Sequence, residues 1–282
     1  IDGTTIALTD VTTQGTQSYT GALTLSSTYV TDGESVDFNG TVTLEDSLVV
    51  DTTNGGATAS GGSITFTDTV QPATGSGPFD LTLTAGTSGS IAAQAAVAVN
   101  ALTINSASTA TLDDASNTIA SMTAANIGAG GISVRDADAL IIANGGVNSV
   151  GDIDIRAGSD DLTLEGSVTA TGTGPASDIL LATGGNFINN VAGADAVDAG
   201  DGRWLIYSTD PGEDTRGDLV PQFKHYNADT TTTLPSSTDG QNGFLYTLEP
   251  DVTISLTGDV QKVYDGNDSA DVVAGNFDTT NG

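Results

Sequence analysis

The chain has no cysteine. No disulfide can brace it, so its stability rests on packing and backbone hydrogen bonds. Cations are nearly as scarce: six Lys and Arg stand against 36 Asp and Glu, for a formal net charge of -30. None of the six precedes Arg135. The first half therefore has nothing from which to build a groove for a phosphate backbone or a patch for an anionic lipid surface, and no nucleic-acid partner is expected. No apolar run is long enough to span a bilayer or to read as a signal peptide, so no membrane insertion is expected. Aromatics are 5% of the residues, fewer than a string of β-sandwich cores would take. No stretch carries the apolar period of an amphipathic helix. Residues 92–99 are rich in alanine but lack a polar face, and read as small-residue packing in a coil or, at most, a short helix.

What is present is a long series of short segments in which apolar and small polar residues alternate. Ser63-Ile64-Thr65-Phe66-Thr67, Asp80-Leu81-Thr82-Leu83-Thr84, Ile132-Ser133-Val134-Arg135 and Ile153-Asp154-Ile155-Arg156 are examples. Each reads as a half-buried strand bounded by Gly, Asn, Asp or Ser, the residues that tolerate tight turns. The segments recur. Ile64, Leu83 and Leu102 are each nineteen residues apart, and Ile132 and Ile153 are twenty-one apart. A drifting period near twenty is that of a stacked solenoid. The expected fold is all-β, a right-handed parallel β-helix over residues 1–209, with aliphatic side chains stacked inward and Thr, Ser and Asp outward. About nine or ten coils would precede Trp204, in a rod roughly 45 Å long.

The texture changes at Arg203-Trp204-Leu205-Ile206-Tyr207-Ser208-Thr209-Asp210-Pro211. This stretch holds the only Trp, and four of the seven Pro and four of the six cations fall from Arg203 onward. A regular element is expected to close here. Residues 210–250 carry two strand signals, Phe223-Lys224-His225-Tyr226 and Phe244-Leu245-Tyr246-Thr247-Leu248, which are expected to form a hairpin capping the last coil. Trp204 should lie near that coil, partly buried. Residues 251–282 begin a further small β-module, with strand signals at residues 252–256, 261–264 and 271–273.

Few residues suggest chemistry. Asp195, Asp198 and Asp201 could offer oxygen ligands to calcium, the one cofactor the sequence invites. Their spacing is not that of an EF-hand loop, and the triplet reads as a soluble turn, as do Asp265, Asn267 and Asp268. Arg216-Gly217-Asp218 is a tripeptide that an exposed loop could present to a receptor; abundant Gly and Asp make it an easy match. His225 falls on a strand rather than beside a nucleophile, and no nucleophile motif or phosphate loop occurs. The chain is not expected to be an enzyme. The alternatives are a polysaccharide-degrading β-helix, which would need a carboxylate pair in a groove, and a calcium-stabilised adhesin that binds glycans.

Several stretches together resemble the filamentous-haemagglutinin-like exoproteins. Gly15-Thr16-Gln17-Ser18-Tyr19-Thr20-Gly21-Ala22-Leu23-Thr24-Leu25 is similar to their repeat. Arg203 to Pro211, Phe223-Lys224-His225-Tyr226-Asn227 and Asn242-Gly243-Phe244-Leu245-Tyr246 resemble the segment that closes their β-helix. Lys262-Val263-Tyr264-Asp265-Gly266 resembles the start of the YDG module that follows in many of them. The resemblance covers most of the chain, and its closing segments are more specific than its repeats. It implies a secreted protein of Gram-negative bacteria, exported by two-partner secretion and acting outside the cell or at its surface as an adhesin or fibre. The secretion domain of that family has no counterpart here, and the YDG-like module stops at Gly282, so the chain reads as one segment of a longer protein. Expected partners are further copies of the chain, joined head to tail through residues 252–282, and surface glycans or host receptors.

Overall fold

The computed structural model describes residues 1–173, 177–238, 240–250, 253–257, 263, 266–267 and 274–280. It is an all-β parallel solenoid of about 11 turns, with a separate two-stranded antiparallel sheet near the C-terminus. No α-helix occurs among the described residues; the helical turns are 3-10 turns such as Ala194–Ala196 and Pro235–Ser237. Residues 92–99 are accordingly strand and turn, with Ser90–Ala93 and Ala98–Ser106 in the sheet.

Alternation in the sequence becomes a ladder in space. One face stacks Val36, Ile64, Ile91, Ala110, Ile132, Ile153, Ile179 and Trp204 in parallel register, each on the next turn. A second face runs through Leu81–Thr84, Ala98–Ser106, Thr118–Ile127, Leu140–Ser149, Leu162–Leu164 and Phe187–Asn189. Side chains at alternate positions along the strands of these faces therefore enter one core that runs the length of the rod. Aromatics concentrate at its two ends. Tyr19, Phe38 and Phe66 stack on successive turns with centroids 5.6 and 4.9 Å apart, and Phe244 meets Phe187 and Trp204 edge-on at 6.0 and 5.4 Å.

The register differs from a simple twenty-residue period. Ile64 stacks on Ile91, while Leu81 and Leu83 stack on Leu102 and Ile104 on another face. The Ile64–Leu83–Leu102 spacing thus links residues of different faces. Turn length varies because loops such as residues 54–61 and 73–79 project from the corners without disturbing the ladders. Some corners admit only glycine. At Gly146, φ is +69° and a Cβ would lie 2.1 Å from the Ser167 carbonyl oxygen of the next turn.

Buried polar side chains stitch turns together. Asn117 is fully buried: its Oδ1 accepts from the Val97 N–H at 2.7 Å, and its Nδ2 donates to the Leu112 and Arg135 carbonyls at 2.9 and 2.8 Å. Asp136 accepts from the Ile119 and Asp138 N–H groups at 2.6 and 2.9 Å. These side chains replace backbone partners where corner geometry leaves them unpaired.

The end of the solenoid corrects one expectation. The strands Phe223–Tyr226 and Gly243–Tyr246 pair in parallel, so they are not a hairpin. Gly243–Tyr246 lies between Trp204–Ser208 and Phe223–Tyr226, so the strand that comes first in sequence is outermost. The parallel ladder consequently continues beyond residue 209. Gly243 permits the stacking, since a Cβ there would lie 2.2 Å from the Phe223 ring. In the tail, Thr253–Leu256 pairs antiparallel with Phe277–Thr280. The strand signals at residues 261–264 and 271–273 fall outside the described residues apart from Val263.

Candidate functional site

The outer surface changes character over the last turns. In Ile132–Arg135 and Ile153–Arg156 buried and accessible residues alternate. In Ile179–Ala182, Trp204–Ser208 and Gly243–Tyr246 every residue is buried. Leu180, Ala182, Leu205, Tyr207, Ala228 and Leu245 form a second apolar cluster, on the outside of the sheet. The segment 227–238 covers it. Arg203 holds this segment: its Nη1 donates to the Thr238 carbonyl and hydroxyl at 3.2 and 2.6 Å, and its Nη2 to the Pro235 carbonyl at 2.8 Å. Its Nε pairs with Asp178 at 3.1 Å. The Tyr207 hydroxyl donates to the Thr233 carbonyl at 2.9 Å, and burial pushes this phenol up to about 12. Sequence reasoning placed Arg203 in the closing segment but missed that it holds this cover. The lost alternation in Ile179-Leu180-Leu181-Ala182 was the available signal, because a strand buried on both faces reads as continuously apolar.

Beside the cover lies a groove of about 480 Å³. Its polar lining includes Arg156, Asp229 and Thr230, and its apolar lining Ala157, Ala182 and Leu248. Arg156 donates from Nε and Nη2 to the two carboxylate oxygens of Asp154, both at 2.7 Å. Those hydrogen bonds raise its already high pKa and fix its plane. Arg135 stands one turn away in register and is exposed. Asp229 Oδ1 accepts from the Thr231 N–H and hydroxyl and from the Thr232 N–H at 2.6 to 2.7 Å. These donors hold its carboxyl down at about 2.

A different polar cluster closes the interior. Asp214 accepts from the Phe187 N–H at 2.8 Å and from the Ser208 hydroxyl at 2.7 Å. Burial nonetheless pushes its carboxyl up to about 6. The Tyr246 hydroxyl is buried and makes no aligned hydrogen bond; burial raises its pKa, and Arg216 and Asp214 are its charged neighbours.

The residues singled out in the sequence are placed as follows. Arg216 is half-buried toward this interior cluster, and its carbonyl accepts from Asn189 Nδ2 at 3.2 Å. Gly217 is exposed at φ +60°, and Asp218 is exposed with its carboxylate accepting from the Gly193 N–H at 3.0 Å. The tripeptide is thus a turn tied to the preceding coil. Asp195 lies in a 3-10 turn, and Asp198 accepts from the Gly200 N–H at 2.9 Å. Among the described residues no three His, Cys, Asp or Glu side chains gather as a metal site. His225 is exposed on the outermost strand, its ring edge-on to Phe223 at 5.1 Å. Trp204 is buried, deeper than expected, with two further strands stacked beyond its own. Asp265 and Asp268 lie outside the described residues. In comparisons with known proteins, no family model matches the chain, and neither a curated protein nor a solved structure shows significant similarity to it.

Proposed function

We infer that the chain is a segment of a secreted, extracellular fibre with a structural or adhesive role. The carrying observation is how its carboxylates are used. Asp51, Asp114, Asp136, Asp161, Asp210 and Asp214 each accept a backbone N–H at a turn or corner. These six carboxylates are thereby engaged in holding the backbone at turns and corners. An uninterrupted ladder of about 11 turns is a rod, and a rod spaces or presents what it carries. The closing segments at residues 203–211, 223–227 and 242–246 add the likeness to filamentous-haemagglutinin-like exoproteins, with export by two-partner secretion at a bacterial surface. On this reading the chain is no enzyme, and its copies assemble head to tail.

Electron microscopy of the purified chain tests the assembly. Filaments one solenoid wide are expected, and a monomer at high concentration refutes polymerisation. Adhesion to a glycan-coated surface tests the adhesive role. Turnover of an acidic polysaccharide, abolished by a single Asp substitution, would place the chain among the β-helical enzymes instead.

A further inference from the structure

We propose that the groove between Arg156 and the segment 228–230 binds a neutral hexose at the end of a glycan. The inference deepens the adhesive reading and relies on it for the origin of the ligand.

The size, lining and free hydrogen-bonding groups of the groove all bear on its ligand. Its 480 Å³ falls within the roughly 300–1,000 Å³ of small-ligand sites. Arg156 uses Nε and Nη2 on Asp154, which leaves Nη1 as a donor whose direction the ion pair fixes. Asp229 uses Oδ1 on its own turn, which leaves Oδ2 as an acceptor. Among the described residues the hydroxyl of Thr230 makes no hydrogen bond, whereas those of Thr209 and Thr247 donate to the Gly184 and Ser208 carbonyls and keep their lone pairs. The groove therefore offers one rigid donor and several acceptors. Its complement is a molecule rich in O–H donors with an oxygen acceptor beside them.

Charge narrows the class. Asp154 offsets Arg156, and the Asp229 carboxylate is set against Arg135, exposed one turn from Arg156, so the groove has no marked excess of either sign and favours a neutral ligand. Ala157, Ala182 and Leu248 supply apolar lining that a simple cation would not use. A neutral pyranose has both faces required: hydroxyls around its rim, and C–H groups that pack on alanine and leucine. The site is also built rather than incidental. The Arg203 and Tyr207 hydrogen bonds fix the segment that carries Asp229 and Thr230, and the ladder fixes Arg156.

The test uses the full chain with methyl glycosides of glucose, galactose and mannose, read by saturation-transfer NMR and calorimetry. Glucuronic acid and glucosamine serve as charged controls. At least one neutral glycoside should bind, more tightly than either control. Thr230→Trp, which fills the groove from a surface segment, should weaken that binding at least tenfold. Asp229→Asn keeps the turn-capping oxygen and should weaken it several-fold with an unchanged thermal midpoint. Absence of binding by every neutral glycoside, tighter binding of a charged control, or wild-type affinity in Thr230→Trp overturns the proposal. Adhesion to a glycan-coated surface is scored in parallel. Adhesion unaffected by Thr230→Trp overturns the groove and leaves the adhesive reading standing. Glycoside binding without adhesion upholds the groove and overturns the adhesive reading.

Discussion

Asn117 and Asp214 show what single polar residues do inside a rod whose core is mostly apolar. Asn117 serves three backbone groups, on Val97, Leu112 and Arg135. Replacing it with alanine removes the buried partner of the Val97 N–H and a donor from each of the two carbonyls, and each buried group left unsatisfied costs about 1–3 kcal/mol. Asn117→Ala should therefore destabilise the solenoid by about 3 kcal/mol or more in urea denaturation; a loss within ~0.5 kcal/mol would mean that water replaces the side chain. Asp214 acts in the opposite sense. Its folded value near 6 lies above the unfolded 3.8, so the folded state holds the proton more tightly. Stability from this group rises as pH falls through about 6 toward about 4, by at most about 3 kcal/mol. The wild type should gain stability relative to Asp214→Asn across that window. A difference independent of pH would show that Asp214 titrates normally. Neither role was legible in the sequence, because an Asn or Asp at a corner looks the same whether it faces water or caps a buried amide.

At the scale of elements, alternation and turn chemistry were enough for the strands and for their parallel stacking. Ile132-Ser133-Val134 and Ile153-Asp154-Ile155 sit in register as the twenty-one-residue spacing implied. The order of the closing strands was not readable. Phe223–Tyr226 and Gly243–Tyr246 carry the same apolar pattern in a hairpin as in a parallel pair, and only the cover over Leu205 and Tyr207 explains why the chain crosses the outer face between them. That cover hangs largely on one side chain. Arg203→Ala removes the guanidinium donors to Thr238 and Pro235. Amide exchange and proteolysis within residues 227–238 should accelerate at least tenfold while the inner ladders stay protected. Arg203→Lys should fall between, since one ammonium cannot reproduce a planar fork aimed at several oxygens. Equal protection in all three proteins would show that the apolar cluster alone holds the segment.

The whole molecule is a rod whose turns are about 4.8 Å apart, so charges on neighbouring turns lie well within a Debye length of roughly 8 Å at physiological salt. Thirty-six carboxylates share that surface with six Lys and Arg. Among the described residues only two ion pairs form, Arg156 with Asp154 and Arg203 with Asp178. Repulsion along the axis therefore outweighs attraction, and the apolar ladders hold the turns together against it. Salt should consequently stabilise the fold. Raising NaCl from about 20 mM to about 500 mM is expected to move the urea midpoint upward, by an amount equivalent to on the order of 1–2 kcal/mol. A fold held by surface ion pairs would respond in the opposite direction, so a midpoint that falls with added NaCl would overturn this account of what opposes and what sustains the rod.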